Sequence, residues 1–271
     1  MKPKLSIIIP CYNSELTLER TLHSVMDQEF SNWEVILIND GSFDSTEEIS
    51  LAWLKTDDRI KYFSKTNEGL GKARNYGISK SKGDYILPLD SDNLVEKKFA
   101  AEAIRILDKN NSIGVVHGNA EYFGDRQGEW VIDEFNLDKL LCGNYIDACA
   151  IYRKSLWAKC GGYDEAMPYQ GNEDWAFWIS LGSINTRFFH LDRITFKYFV
   201  SEKSMIRSFS DDMHLANRDY IASRFSELIY DRFASLLTQN ERLKEDSMYL
   251  KNKYELFQEI WCRTKRKLRC R

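Results

Sequence analysis

The first third of the chain alternates short apolar runs with segments whose apolar residues recur at helical spacing, and few folds accommodate this order. The apolar runs occupy residues 5–9, 35–38, 60–63 and 85–89. Between the first two runs, Leu18, Leu22 and Val25 share one face of a predicted helix. Strands that alternate with helices form a parallel sheet with helices packed against it. The sequence therefore predicts an α/β fold with a mostly parallel sheet and helices on both faces.

Polar segments follow each of the four predicted strands, at residues 10–13, 39–42, 67–75 and 90–92. In open α/β sheets the ligand lies at the carboxyl ends of the strands, so these segments form the candidate binding site. Asp90 and Asp92 are two positions apart on an extended segment and project to the same side. Two such carboxylates suit a hard divalent cation, which completes its shell with substrate phosphates and water.

Asp40 and Arg74 are two further candidates, and each has an alternative structural role. Asp40 can accept hydrogen bonds from a ribose or a nucleobase imide, and Arg74 can face a base carbonyl or a phosphate. Alternatively, Asp40 only opens the turn at Gly41, and Arg74 is a solvated helix residue. The residues alone leave both roles open.

The segment at residues 69–74 begins like the glycine-rich fingerprint of dinucleotide-binding proteins. Arg74 occupies the position of the third glycine, and the first strand-to-helix turn lacks the motif. This pattern disfavours a nicotinamide-dependent oxidoreductase.

The cysteines and histidines show no metal-binding pattern. The six cysteines include no C-x-x-C pair, and the four histidines are scattered. We therefore expect reduced thiols, and a metal held mainly by carboxylates. No apolar stretch has the length of a membrane-spanning helix, and no signal-peptide pattern is present. The sequence predicts a cytoplasmic protein, either soluble or peripheral at the inner face of the cell membrane.

The C-terminal segment is predicted to be helical after Ser210 and ends in a basic cluster at residues 263–271. This cluster suggests contact with an anionic membrane surface, with a solvated tail as the alternative. Leu243, Leu250 and Phe257 recur every seven residues. Such a stripe predicts a helix that docks on its own domain or on a partner in a homodimer.

The strand-end segments, taken in order with residues 161–164 and with Glu173, Asp174 and Trp175, resemble family 2 glycosyltransferases with the GT-A fold. The resemblance spans about residues 4–205. It implies a GT-A type of Rossmann-like sheet.

The resemblance also implies a division of the chain. Residues 1–115 would form the nucleotide-sugar-binding half of one domain, and residues 116–210 its acceptor-binding and catalytic-base half. Residues 211–271 would form a C-terminal helical extension with the basic tail.

Individual roles follow from the same resemblance. The donor nucleotide would contact Pro10, Tyr12, Glu15, Asp40, Arg74, Asp90 and Ser91. Asp92 would bind a Mn²⁺ or Mg²⁺ ion directly, and Asp174 would be the general base. Glu173 and Trp175 would shape the acceptor side. Asp174 is near the start of a predicted helix, where the helix dipole is expected to keep it ionised.

Two positions depart from the family pattern. Asn93 stands where the family often has a further Asp, and it can still bind polar groups. Ser201 stands where many members have a histidine, so the resemblance leaves a third protein ligand to the metal open.

The implied activity is the inverting transfer of a sugar from a UDP-sugar to a hydroxyl of a saccharide or lipid-linked saccharide, in cell-surface polysaccharide or glycoconjugate synthesis. A cation would stabilise the leaving diphosphate, and a carboxylate would take the proton of the incoming hydroxyl. No nucleic-acid partner is expected. The alternative is a non-catalytic scaffold or sensor that binds sugar nucleotides. Asp92 and Asp174 together disfavour it, because binding alone needs no base.

Overall fold

The computed structural model describes residues 2–201 and 209–269, with side chains described up to residue 251. The strands of the described residues are β1 (Leu5–Cys11), β2 (Trp33–Asp40), β3 (Ile60–Lys65), β4 (Tyr85–Pro88), β5 (Leu94–Val95), β6 (Ile113–Gly124), β7 (Gly128–Trp130), β8 (Ile151–Arg153) and β9 (Arg187–Val200). The helices of the described residues are α1 (Leu18–Met26), α2 (Thr46–Leu54), α3 (Leu70–Lys80), α4 (Phe99–Lys109), α5 (Leu137–Cys142), α6 (Lys154–Cys160), α7 (Glu173–Ser183), α8 (Asp211–Arg224) and α9 (Ser226–Arg269).

The described strands form one sheet in the order β3-β2-β1-β4-β8-β6-β9-β5, with β7 paired to β6. β1 is parallel to β2 and β4, and β2 is parallel to β3. β8 is antiparallel to β4 and β6, and so joins the two halves of the sheet. β6 and β9 are parallel. The predicted α/β fold with a mostly parallel sheet is confirmed.

Helices cover the central strands closely. Every residue of β1 and β2 is buried, as expected for parallel strands with both faces covered. The predicted apolar face of α1 is the buried one. α3 lies so close to the sheet that a Cβ atom at Gly77 would be 2.6 Å from Ile8 Cγ2. Any larger residue there would push α3 off the sheet and displace its first turn, which belongs to the candidate site.

β4 ends at Pro88, where proline removes a donor from the ladder. The next amide, that of Leu89, donates to the Ile8 carbonyl at 2.9 Å. The chain is therefore still held beside β1 when it reaches Asp90 and Asp92. Because Pro88 ends β4, Asp90 and Asp92 lie directly after a buried strand.

β9 is a single long strand, although its apolar and aromatic residues fall into two separate runs, at residues 186–189 and 194–200. Its pairing with β6 shifts register near Gly118 and Asn119, which accounts for the interrupted pattern. Asn93 Oδ1 accepts a hydrogen bond from the Phe199 amide at 2.9 Å. The end of β9 is therefore tied to the loop that carries Asp90 and Asp92.

The chain forms two compact units, Met1–Ile221 and Ala222–Arg271. In the second unit, Leu243 and Leu250 are exposed. The side chains of Phe257 and of the basic cluster at residues 263–271 lie outside the described part, so docking and membrane contact stay predictions. Among the described helices, none is both long enough and apolar enough to cross a membrane.

Candidate active site

The loops that follow β1, β2 and β4 meet through hydrogen bonds. Ser14 Oγ lies 2.7 Å from Ser91 Oγ. The Ser14 amide donates to Thr46 Oγ1 at 2.7 Å, and the Asn13 amide donates to Ser42 Oγ at 3.0 Å. Strand ends that are separate in sequence therefore form one surface, as the parallel sheet predicts.

The end of β1 and the loop after it carry three of the residues predicted to contact the donor nucleotide. Pro10 is buried within the end of β1. Tyr12 is half exposed, and its ring meets the exposed Phe43 ring edge-on, with centroids 6.2 Å apart. Glu15 Oε2 accepts a hydrogen bond from the Ser45 amide at 3.0 Å. Tyr12 is thus the member of the three that offers an open ring surface.

Asp40 is buried at the end of β2 and braces the loop that leads into α3. Its Oδ1 accepts a hydrogen bond from Lys65 Nζ at 2.7 Å. Its Oδ2 accepts from the Gly69 amide at 2.9 Å, just before α3 begins. Asp40 therefore holds the start of α3 in place, whatever contact it makes with a ligand.

Arg74 is a buried cation that joins two distant parts of the site. One of its terminal nitrogens donates to Asp90 Oδ1 at 2.6 Å, and the other donates to Glu173 Oε1. Burial lowers the pKa of the guanidinium, but the charges of Asp90 and Glu173 outweigh burial and raise that pKa. Glu173 Oε2 also accepts from the Gly171 amide at 2.9 Å. The end of β4 is thereby linked to the first turn of α7.

The surroundings of Asp92 disfavour a negative charge on its carboxyl group. Burial, and next the charge of Asp90, raise the pKa of Asp92 to about 7, while Arg20 opposes the shift. A carboxylate with so little neutralising charge gains from a bound cation.

Asp147 is a carboxylate that sequence reasoning missed. Burial, and next the charge of Asp90, raise its pKa to about 7, and Asp92 adds to the shift. The Cys149 amide donates to Asp147 Oδ1 at 2.8 Å. Asp147 precedes β8, and only the pairing of β8 with β4 brings it beside Asp90. A lone Asp before an apolar run is the only local signal, and it is weak.

Asp174 lies in the first turn of α7 and is nearly fully buried. Its Oδ2 accepts from Asn144 Nδ2 at 3.1 Å, and its Oδ1 from the Trp175 amide at 2.7 Å. Burial, and next Glu173, raise its pKa well above the usual range, while Arg74 opposes the shift. Burial and the like charge of Glu173 therefore oppose the effect expected of the helix dipole on Asp174.

Trp175, predicted to shape the acceptor side, is buried. Its Nε1 donates to the Leu140 carbonyl at 2.6 Å, which packs α7 against α5. The buried indole therefore does not contact a ligand directly, and it influences the acceptor side by positioning neighbouring residues.

The acidic residues of the site supply part of the shell that a divalent cation needs. Within the described part of the chain, no three His, Cys, Asp or Glu side chains are placed to chelate a metal together. Asp90 and Asp92 supply two oxygen-bearing groups at one strand end, which is the protein share of many Mg²⁺ sites completed by phosphates. The poorly neutralised Asp92 fits that role. A third protein ligand stays open: residues 202–208, which follow Ser201, lie outside the described residues.

Comparison with known proteins agrees with the fold. The family model described as Glycosyl transferase family 2 matches residues 6–161. A Rickettsia typhi protein named as an uncharacterized glycosyltransferase is 30% identical over 89% of this chain and 74% of its own length. The chain covers 27% to 74% of the length of the Rickettsia relatives that it matches.

Two solved structures share the fold. A Staphylococcus aureus TarS fragment in complex with UDP-GlcNAc is 23% identical with a TM-score of 0.66, over 79% of this chain and 64% of that one. The mannosyltransferase PcManGT from Pyrobaculum calidifontis, in complex with GDP-Man and Mn²⁺, is 17% identical with a TM-score of 0.62, over 83% and 65%. The chain belongs to glycosyltransferase family 2, and the resemblance read from its sequence is confirmed.

Proposed function

We propose that this chain transfers a sugar from a nucleoside diphosphate sugar to an acceptor hydroxyl by single displacement with inversion. The observation that carries the proposal is the Arg74 bridge from Asp90 to Glu173. Asp174, the candidate base, follows Glu173 in the chain, and Asp90 belongs to the strand end proposed to bind phosphate. The bridge between Asp90 and Glu173 therefore supports a single site that contains both. Asp147 is near enough to both that its charge raises the pKa of Asp174 and that the charge of Asp90 raises its own pKa.

Each residue has a defined task in this reaction. Tyr12 offers its half-exposed ring to the nucleobase, and the loop that Asp40 braces borders the ribose. Asp90 and Asp92 face the diphosphate, where a bound Mn²⁺ or Mg²⁺ ion would stabilise the charge that develops on the departing phosphate. Asp174 takes the proton of the acceptor hydroxyl as that oxygen attacks the anomeric carbon.

The structural relatives support the choice of donor. TarS is described with UDP and with UDP-GlcNAc, and PcManGT with GDP-Man and Mn²⁺. We therefore extend the proposal to a UDP-sugar donor and a divalent cation. For the acceptor we propose a saccharide or lipid-linked saccharide, reached by a peripheral membrane protein. The basic residues that motivate the membrane contact lie outside the described side chains.

Replacing Asp92 by asparagine tests the phosphate site directly. We expect Mn²⁺ to strengthen UDP binding by the native protein. In Asp92→Asn, UDP binding in the presence of Mn²⁺ should weaken by at least about tenfold, because a cation ligand has been lost. Isothermal titration of UDP, with Mn²⁺ and with EDTA, measures the difference. Asp58→Asn, at an exposed position, is the matched control. Equal gains from Mn²⁺ in Asp92→Asn and in the control would refute the metal site.

Transfer itself is tested by UDP release from a panel of UDP-sugars, with and without Mn²⁺. Release that requires Asp174 supports an enzyme. Metal-dependent UDP binding, with no release or transfer from any donor, would support the sensor or scaffold instead.

Replacing Asp147 by asparagine tests the carboxylate that the sequence analysis missed. At pH 8 the ionised Asp147 is penalised by burial and by Asp90. An amide removes that cost, so the melting temperature should stay the same or rise. We expect kcat to fall by about tenfold, because a charge facing the reaction centre is lost. An unchanged kcat would show that Asp147 takes no part in the reaction.

A further inference from the structure

Three aromatic rings stand together on β6, β7 and β9, and the proposed reaction does not use them. Tyr122 and Trp130 are parallel, with an interplanar angle of 1° and centroids 5.9 Å apart. Tyr198 is nearly perpendicular to both, at 87° to Tyr122 and 88° to Trp130, with centroids 6.1 and 5.7 Å away. The rings therefore form a corner, which we call the aromatic corner.

The aromatic corner borders the candidate active site. Tyr198 precedes Phe199, whose amide is bound by Asn93 beside Asp92. The Tyr198 hydroxyl is mostly buried, and burial raises its pKa above the usual value. Asp147 is the next largest cause, followed by Asp90, Asp92 and Asp174. Tyr198 is thus the ring of the corner that lies nearest the site, where the charges of Asp90, Asp92 and Asp174 act on its hydroxyl.

The outer part of the corner comes from the β6–β7 hairpin and remains partly exposed. Tyr122, Trp130 and Tyr198 each keep some accessible surface, unlike the fully buried aromatic residues of the core. Arg126 covers the Tyr122 ring, with its guanidinium carbon 3.8 Å from the centroid. A contiguous group of partly exposed rings is typical of a ligand-binding surface.

The chemistry of the corner suits a sugar ring. A pyranose presents a face of C–H groups that packs on the electron-rich face of an aromatic ring, while its hydroxyls stay at the edges for hydrogen bonding. Tyr hydroxyls and the Trp130 indole N–H provide polar contacts at the rim. A nucleobase is a poorer occupant, because the strand ends proposed for the nucleotide belong to β1, β2 and β4.

We propose that the aromatic corner is the acceptor subsite, in which a pyranose ring of the acceptor saccharide packs against Trp130 and Tyr198 and turns a hydroxyl toward Asp174. This inference rests on the proposed function and names the substrate class on its acceptor side. The corner is continuous with the site through Tyr198, and its aromatic walls select a saccharide over a flexible alcohol.

Saturation-transfer NMR tests the subsite with methyl glycosides of glucose, galactose, mannose and N-acetylglucosamine, added to the full chain with UDP and Mn²⁺. At least one glycoside should receive saturation on its ring protons from the native protein. Trp130→Leu keeps an apolar side chain but removes the aromatic face, and should reduce that saturation by about fivefold, the factor that an aromatic contact contributes. Trp130→Phe should retain most of it.

The controls separate the possible outcomes. Trp53→Ala removes a partly buried tryptophan on α2, away from the corner, and should leave the saturation unchanged. Equal melting temperatures for Trp130→Leu and Trp130→Phe exclude a folding defect as the cause of any difference between them.

The inference is overturned if no glycoside binds the native protein, or if Trp130→Leu binds as well as Trp130→Phe. It is also overturned if Trp130→Leu weakens only UDP-GlcNAc binding, since the corner would then hold the donor sugar. Failure of the proposed function is distinct, because it would appear as loss of Mn²⁺-dependent UDP binding in the native protein.

Discussion

Asp174→Asn is expected to lower kcat for sugar transfer by about a thousandfold, within the range that general-base catalysis contributes. The amide keeps the size of the side chain and can still hold the Trp175 amide, so the first turn of α7 should persist. UDP affinity should not change, because the hydrogen bonds of Asp174 run to Asn144 and to the Trp175 amide and not to the loops after β1, β2 and β4. UDP release and UDP titration on the same preparation measure the two effects. Asp58→Asn is again the matched control.

The same residue sets the pH dependence. A general base acts only when it has lost its proton, and burial followed by Glu173 raises the pKa of Asp174. The value of kcat/KM in the native protein should therefore rise with pH through a midpoint above about 4, the ordinary carboxylate value. A midpoint near that ordinary value, or transfer that survives in Asp174→Asn, would remove Asp174 from the role of base.

Arg74→Met is expected to lower the free energy of unfolding by about 3–5 kcal/mol, because it leaves Asp90 and Glu173 without their buried cation. Lys72→Met, on the same helix, is the matched control. Lys72 approaches Glu68 only at 3.7 Å on the surface, so its loss should cost less than about 1 kcal/mol. Chemical denaturation followed by fluorescence gives both values.

A double variant identifies the cause of that loss. Adding Glu173→Gln to Arg74→Met removes one of the two uncompensated charges, so it should recover part of the lost stability. Equal destabilisation by Arg74→Met and Lys72→Met would show that the bridge is not a main support of the site. In that case, the predicted contact with the nucleobase would be the better explanation for an arginine at position 74.

The sequence predicted the elements of the first half and the strand ends well. The apolar runs became β1 to β4, and Pro88 ended β4 just before Asp90 and Asp92. The second half was predicted less well, because the register shift in β9 breaks the period-two pattern that identifies a strand. The burial of Asp174 and the charge of Glu173 beside it, which raise the pKa of Asp174, are not visible in its helix position alone.

What the sequence determined by itself was local: apolar periodicity, the residue type at each strand end, and the family that this ordered set of motifs indicates. Only the tertiary structure decided which distant groups meet. Antiparallel pairing of β8 with β4 brought Asp147 beside Asp90, and parallel pairing of β6 with β9 assembled the aromatic corner. The physical reason is that strand periodicity and turn chemistry act over a few residues. The order of strands in a sheet depends on the packing of the whole domain.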